Sequence, residues 1–533
     1  MTMKCVSCFS RFSTVAGILW TMLCAVPVDA QQLRLFELSG NRKTVTAFVS
    51  EAEIFSGNQP LPLVAFEIND QLFKSDDPTN TIDISFTVDT GFAPGMKGRL
   101  LFTNTSPDTI ILSNVVPLGR DGKAVYITGK GKHGLSRSHI FFPERQPVNC
   151  ILPDNAWELG YSATPLGNGW SVCALVRRDR SSAEKANIRR FETVLAPGGS
   201  VAYNLFADLY EGEWQEGLRK IFQERYLYDV DTFDNSLFER EDLKWIRHTY
   251  VMHLIMAWDK FYHDYETGAS GLPAFIERGK RLYGGDDVIG IWPTWPTLGI
   301  DHRNQFDMYR DLPGGLERIR KDAEYCRSQG TAFFVCYNPW DESTRSEGHL
   351  DGLYNLIMQT GADGVILDTQ GGSSRELQES ADRAKPGVIM YSEGFAVPRD
   401  MQGIVSGRVH NALYYPPMLN LNKFIKPEFT VYRVAEVARE PIKREYATAF
   451  FNGYGTELNI FPPGQPEWAE EQYRYLGRTT RILRENTHNF LHKAYIPLLP
   501  TLTDSIYVNA WPLPGKTIYT IYSIRPEGFS APL

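Results

Sequence analysis

The sequence predicts a multidomain chain with an N-terminal β-sandwich, a central (β/α)8 TIM barrel and a short C-terminal β segment. Three observations predict it. Short β-branched and aromatic runs fill the first two hundred positions. After Lys244 strand-like runs alternate with helix-like runs, as βαβ units do. Several of those later runs are apolar at consecutive positions, as strands covered on both faces should be. The length of 533 residues leaves room for two to four domains.

Positions 1–30 read as a signal peptide. Lys4 and Arg11 give a positive start, an apolar run follows, and Val28-Asp29-Ala30 places small residues where a signal peptidase cuts. The apolar run is too short for a stable membrane span. The expectation is a secreted, periplasmic or cell-surface protein with no stable membrane insertion after cleavage. Cys5, Cys8 and Cys24 would leave with the peptide, and with them the one C-x-x-C spacing. Cys150, Cys173, Cys326 and Cys336 remain, too few for a disulfide scaffold. Cys150 and Cys173 are a candidate pair in an oxidising compartment, whereas Cys326 and Cys336 lie in apolar stretches and read as buried thiols.

The N-terminal β-sandwich spans 31–210. Its strands are predicted over 44–49, 62–68, 81–88, 99–103, 109–115, 124–128, 170–176 and 200–206, with Gly, Pro, Asn and Asp between them. A helical linker over 211–244 follows, carrying a helix over 214–226 with Trp214, Leu218, Ile221 and Phe222 on one face.

The barrel spans 245–490. Its strands are predicted over 248–256, 287–292, 331–337, 364–369, 388–393, 408–415, 429–433 and 455–461. Helices are predicted over 273–283, 316–328, 349–360 and 375–384, ended by Gly330, Gly361 and Pro386 where such stops are visible. No glycine-rich phosphate loop follows any strand, which weighs against a doubly wound sheet. The C-terminal β segment spans 491–533, with strands over 505–511 and 517–522. Two strands cannot close a domain alone. They either pack on the barrel or belong to a sandwich only part of which is present.

The C-terminal ends of barrel strands carry the active site in this architecture. Here those ends hold Trp292 and Trp295, then Asp301, His302, Arg303 and Asp307 in a loop without apolar periodicity. Asn338, Trp340 and Asp341 follow the third strand, Asp368 the fourth, Glu393 the fifth, and His410 lies near the sixth. Indole faces stack on sugar rings while Asp, Asn, His and Arg bind hydroxyls, so the set reads as a carbohydrate site. Asp368 and Glu393 are one βα unit apart. Adjacent strands lie ~4.8 Å apart, and retaining glycosidases hold their carboxylates at ~5–5.5 Å. The net charge of −8 and the absence of basic blocks exclude nucleic acid as a natural partner. The ten histidines form no H-E-x-x-H, so no metal or other cofactor is expected. No G-x-S-x-G elbow marks an esterase.

Gly364-Val-Ile-Leu-Asp368-Thr369 followed by Tyr391-Ser-Glu393-Gly394 resembles the barrel core of retaining α-glycosidases. The likeness extends to the α-amylase superfamily and to the endo-α-N-acetylgalactosaminidases, whose barrel follows a β-supersandwich. It covers about 244–489. It implies that Asp368 attacks the anomeric carbon and that Glu393 is the general acid/base, its pKa raised by the Asp368 charge. The sequence departs from the amylase pattern, with Ile366 where an arginine stands and no third carboxylate after the seventh strand. Competing readings are a catalytically inactive barrel that binds glycan or scaffolds a surface complex, and an inverting or metal-assisted hydrolase.

Overall fold

The computed structural model describes residues 36–47, 60–89, 95–129, 138–152, 158–224, 233–293, 303–341, 347–394, 400–409, 417–436, 441–460 and 467–533. The expected signal peptide, Trp295, Asp301, His302 and His410 lie outside these residues.

Burial alternates with period two along Ile82–Val88 and Met96–Asn104, so each strand has one face for a core and one for solvent. These strands join a 12-stranded sheet whose spine is a long hairpin, Trp170–Ile188 and Glu192–Glu211. The sheet branches at that hairpin. Glu192–Leu195 pairs with Ile110–Ser113, and Ser200–Ala207 pairs with Met96–Thr103. The branches close on Phe66, Leu100, Phe102, Leu112 and Tyr203, with the Phe66–Phe102 and Phe102–Tyr203 rings edge-on at 5.4 Å. The sandwich is therefore made of layers continuous through the hairpin. Strands at Ser138–Phe141, Val148–Ile151 and Leu159–Gly167 were not anticipated.

Eight parallel strands form the closed barrel: Val251–Met256, Val288–Trp292, Ala332–Tyr337, Gly364–Leu367, Ile389–Ser392, Ser406–Val409, Thr430–Glu436 and Gly455–Ile460. The first pairs with the eighth, Val251 opposite Thr456, which closes the ring. Helices at Leu272–Tyr283, Gly315–Ser328, His349–Thr360 and Arg375–Ala384 stand where the periodicity puts them.

Two barrel expectations need correction. Glu241–His248 is a 3-10 helix, its Leu243 and Ile246 three apart and both buried, so the first strand starts at Val251. The sixth strand begins at Ser406, not Arg408, in register with Tyr391 and Thr430. Gly407 passes so close to Ser392 that a Cβ there would meet its Oγ at 2.2 Å. The residues that permit this approach, Ser and Gly, look unlike a strand.

The C-terminal hairpin, Ile506–Leu513 with Lys516–Ser523, packs on the barrel. Asn509 and Thr520 both donate to the carbonyl of Phe451 at 2.9 Å. Its Trp511 shares a core with Tyr495, Phe490 and the helix Trp214–Glu224. Among the described residues no helix is long and apolar enough to cross a membrane. All four described cysteines are buried thiols, and Cys150 and Cys173 are not joined.

Candidate active site

Asp368 is the residue immediately beyond the fourth strand, and Glu393 the residue beyond the fifth. The ladder pairs Leu367 with Ser392, so the two carboxyl groups leave neighbouring strands at the same level. Backbone bonds continue past the strand ends: Asp368 N–H donates to Tyr337 O at 2.9 Å and Glu393 N–H to Leu367 O at 3.1 Å. The side chains are thus mounted on ladder, which orients them more rigidly than a loop would.

Asp368 is buried, and Asn338 donates to its Oδ2 at 3.1 Å. Asn338 is itself gripped by Gln305 from a helix at Gln305–Arg310. Thr369 adopts φ 60°, the left-handed region that a β-branched residue rarely enters. That conformation aims its N–H at Glu393 Oε2. Backbone strain of this kind, of order 1–3 kcal/mol, is typically retained at functional sites.

Glu393 is half-buried. Its Oε1 lies 2.5 Å from Nη2 of Arg408, and the Arg408 Nε–H donates to its backbone carbonyl at 3.1 Å. Arg408 is 1 % exposed and reaches across the barrel from the sixth strand to Glu457 on the eighth, at 2.6 Å. Glu457 is fully buried and accepts from the Tyr391 hydroxyl as well. The Trp292 ring lies 5.6 Å from the Arg408 guanidinium.

Three carboxyls and one guanidinium set largely out of water cannot all be ionised cheaply. Burial, together with the neighbouring Glu393, pushes the Asp368 carboxyl up to about 8. Burial acts on Glu393 in the same direction but is outweighed by the hydrogen bond from Asp368 and the Arg408 charge, which leave it below its ordinary value. This polarity is the reverse of the sequence expectation that Glu393 would be the raised member. The causes are the deeper burial of Asp368 and the Arg408 guanidinium on Glu393, and nothing in the sequence pointed to Arg408.

The remaining site residues divide by what they touch. Trp292 is buried against Arg408, whereas Trp340 is 53 % exposed at the same mouth. Arg303 pairs with Asp311 at 3.6 Å. Asp307 lies in the short helix, not a loop: it completes a capping box with Asn304 and pairs with Arg310 at 2.9 Å. Asp341 is buried and accepts from the Gln305 N–H at 2.8 Å. Both aspartates therefore hold structure around the third strand end. Asp259, after the first strand, closes a turn by accepting from Phe261 N–H at 2.8 Å. Beside it Trp258 and Tyr265 stack at 5.4 Å and 15°, and both are exposed. Arg408, Glu457, Gln305 and Trp258 were all missed, and Tyr391 entered only as part of the motif around Glu393. A lone glutamate inside the apolar eighth strand was the one visible signal among them.

Among the described residues no group of three or more His, Cys, Asp and Glu is placed to hold a metal ion. A cavity of about 330 Å³ opens at the opposite, N-terminal mouth beside Trp245. Its Arg327 and Lys385 both engage Asp363, and its Asp242 engages Arg240.

No protein-family model matches the sequence, and no curated protein matches it. Solved structures do resemble it. The ligand-free alpha-N-acetylgalactosaminidase NagBb of Bifidobacterium bifidum aligns over 91% of this chain and 97% of its own, at 11% identity and a TM-score of 0.48. A cyclomaltodextrinase aligns over 81% and 89%, at 10% identity and 0.40. The GH36 alpha-galactosidase AgaA of Geobacillus stearothermophilus aligns over 90% and 75%, at 11% identity and 0.36. The barrel itself is established by its own closed strand ladder.

Proposed function

We propose that the protein is a glycoside hydrolase that cleaves an α-glycosidic bond with retention. The observation that carries the reading is the pair Asp368 and Glu393, hydrogen-bonded to each other at adjacent strand ends on the catalytic mouth. In the proposed reaction the Asp368 carboxylate attacks the anomeric carbon and Glu393 protonates the departing oxygen. Glu393 then takes a proton from water, which releases the sugar from Asp368. An inverting enzyme needs ~6.5–9.5 Å between its carboxyls to admit water and a retaining one ~5–5.5 Å, and carboxyls on adjacent strands ~4.8 Å apart suit the shorter spacing. The preference for an α-linkage rests on the likeness of Gly364–Thr369 and Tyr391–Gly394 to retaining α-glycosidases. Exposed Trp258, Tyr265 and Trp340 at the same mouth support a carbohydrate substrate, since flat aromatic faces suit the C–H faces of a pyranose. The charged start and apolar run of positions 1–30 support export.

The test is a screen of aryl α- and β-glycosides and natural glycans with wild type and the Asp368→Asn and Glu393→Gln variants. Proton NMR of the first-formed anomer reads the stereochemistry. Turnover that survives either substitution in the folded protein overturns the reading.

A further inference from the structure

The donors around the carboxyl pair are unevenly shared. Glu393 accepts at both oxygens, from Arg408 Nη2 at Oε1 and from the Thr369 N–H at Oε2. Asp368 accepts from Asn338 at Oδ2, shares the Thr369 N–H and otherwise meets Glu393, so its donors are neutral. Two carboxyls in contact must share a proton. The one that accepts from a guanidinium is the carboxylate, because a hydrogen bond from a charged donor favours the ionised partner. Arg408 is itself fixed in place, since Glu457 holds its other end and Tyr391 holds Glu457.

We infer that Arg408, braced by Glu457, is a positioning residue that keeps the proton of the resting pair on Asp368 and the charge on Glu393, so that one proton transfer arms both groups. The inference rests on the glycosidase reading for its use, and on the hydrogen-bond geometry for its content. In the step, the Asp368 O–H bond breaks and a Glu393 O–H bond forms across the existing hydrogen bond, and the negative charge moves to Asp368. No other reactant takes part. The product is a carboxylate ready to attack and a carboxylic acid beside a guanidinium, which makes that acid a strong proton donor. Entry of the glycoside between the two groups drives the transfer, since the pair must part from hydrogen-bonding distance to ~5–5.5 Å.

The groups facing the pair are Asn338 and Cys336 from the third strand, Tyr391 from the fifth, Arg408 from the sixth and Glu457 from the eighth. Changing the two charged ones gives opposite results. Arg408→Gln removes a positive charge, so the shared proton is held more tightly and its loss moves to higher pH by about 1 unit. Glu457→Gln removes a negative charge and moves it to lower pH. Arg408→Lys keeps the charge and stays near wild type. A merely structural role lowers stability in both variants without opposite shifts.

The experiment is an infrared titration of the full-length, substrate-free protein carrying ¹³C-carboxyl aspartate or, separately, ¹³C-carboxyl glutamate. The expected result is a protonated-carboxyl band, absent from Asp368→Asn, that moves with the aspartate label and titrates near pH 8, with the opposite shifts above. A band that follows the glutamate label, or shifts of one sign in both charge variants, overturns the inference. Failure to find a cleaved glycoside sinks the functional reading and leaves this result standing.

Discussion

Gln305 holds Asn338 by both sides of its backbone, donating from Nε2 to its carbonyl and accepting from its N–H, each at 2.7 Å. All of these atoms are buried, and Asn338 in turn holds Asp368. Gln305→Leu leaves the Asn338 N–H without a partner in the interior, at a cost of ~1–3 kcal/mol, and leaves its carbonyl only the Asp341 N–H at 3.4 Å. The expected outcome is a loss of roughly 1–3 kcal/mol in urea unfolding, with a lower kcat because Asn338 is freed to turn away from Asp368. An unchanged unfolding midpoint shows that the clamp is replaced by water.

Asp368 makes stability depend on pH in an unusual direction. Its carboxyl loses its proton at about 8 in the folded protein but in the ordinary range near 3.8 once unfolded. Between those values the folded state binds the extra proton, so stability is fully present below the lower one and falls as pH rises through the window. Glu393 is lowered and acts in a separate window, as pH falls below the usual carboxylate range. Asp368→Asn removes the first effect. Thermal melts from pH 5 to 8 are expected to fall for wild type, and the variant is expected to gain on it steadily. Parallel curves would show that Asp368 is ionised in the native protein.

The uneven legibility of this molecule has a physical origin. Barrel strands such as Ala332–Tyr337 are buried on both faces, so apolar runs betray them. Asp368 and Glu393 stood out because a carboxylate ending such a run is conspicuous. Arg408 was hidden because its partners, Glu393 and Glu457, lie 15 and 49 positions away, and only barrel closure brings them together. The Asn304–Asp307 capping box is local and was readable in principle. It was missed because a helix of six residues is too short to show periodicity.

His253 is another buried polar group of the barrel. It points away from the mouth into the helical layer, where Nδ1 meets Asp286 and Nε2 meets the Tyr473 hydroxyl at 3.1 Å. Tyr283 donates to the second oxygen of Asp286 at 2.9 Å. The network ties the first strand to the helices Leu272–Tyr283 and Ala469–Glu485. His253→Phe leaves Asp286 buried beside one donor fewer and is expected to cost on the order of 3 kcal/mol. Any activity measured below the melting temperature should keep its pH profile, which separates this network from the one around Arg408.

The cysteines permit a last prediction. Val148–Ile151 and Trp170–Ile188 are separated in the sheet by three intervening strands. At ~4.8 Å per strand that places Cys150 roughly 19 Å from Cys173 along the sheet, against the ~4.4–6.8 Å between Cα atoms that a disulfide tolerates. Both thiols are buried in one apolar core, and the Cys173 thiol donates to the Asp208 carbonyl at 3.5 Å. Burial pushes the Cys150 thiol well above its ordinary pKa, which denies it the reactive thiolate. Cys150, Cys173, Cys326 and Cys336 are therefore expected to resist a thiol-specific reagent in the native protein and to react only on unfolding. A reductant should leave the Tm unchanged, whereas a native disulfide would contribute ~2–4 kcal/mol that the reductant removes. A drop in Tm on reduction would mean that the N-terminal sheet folds with a different strand order.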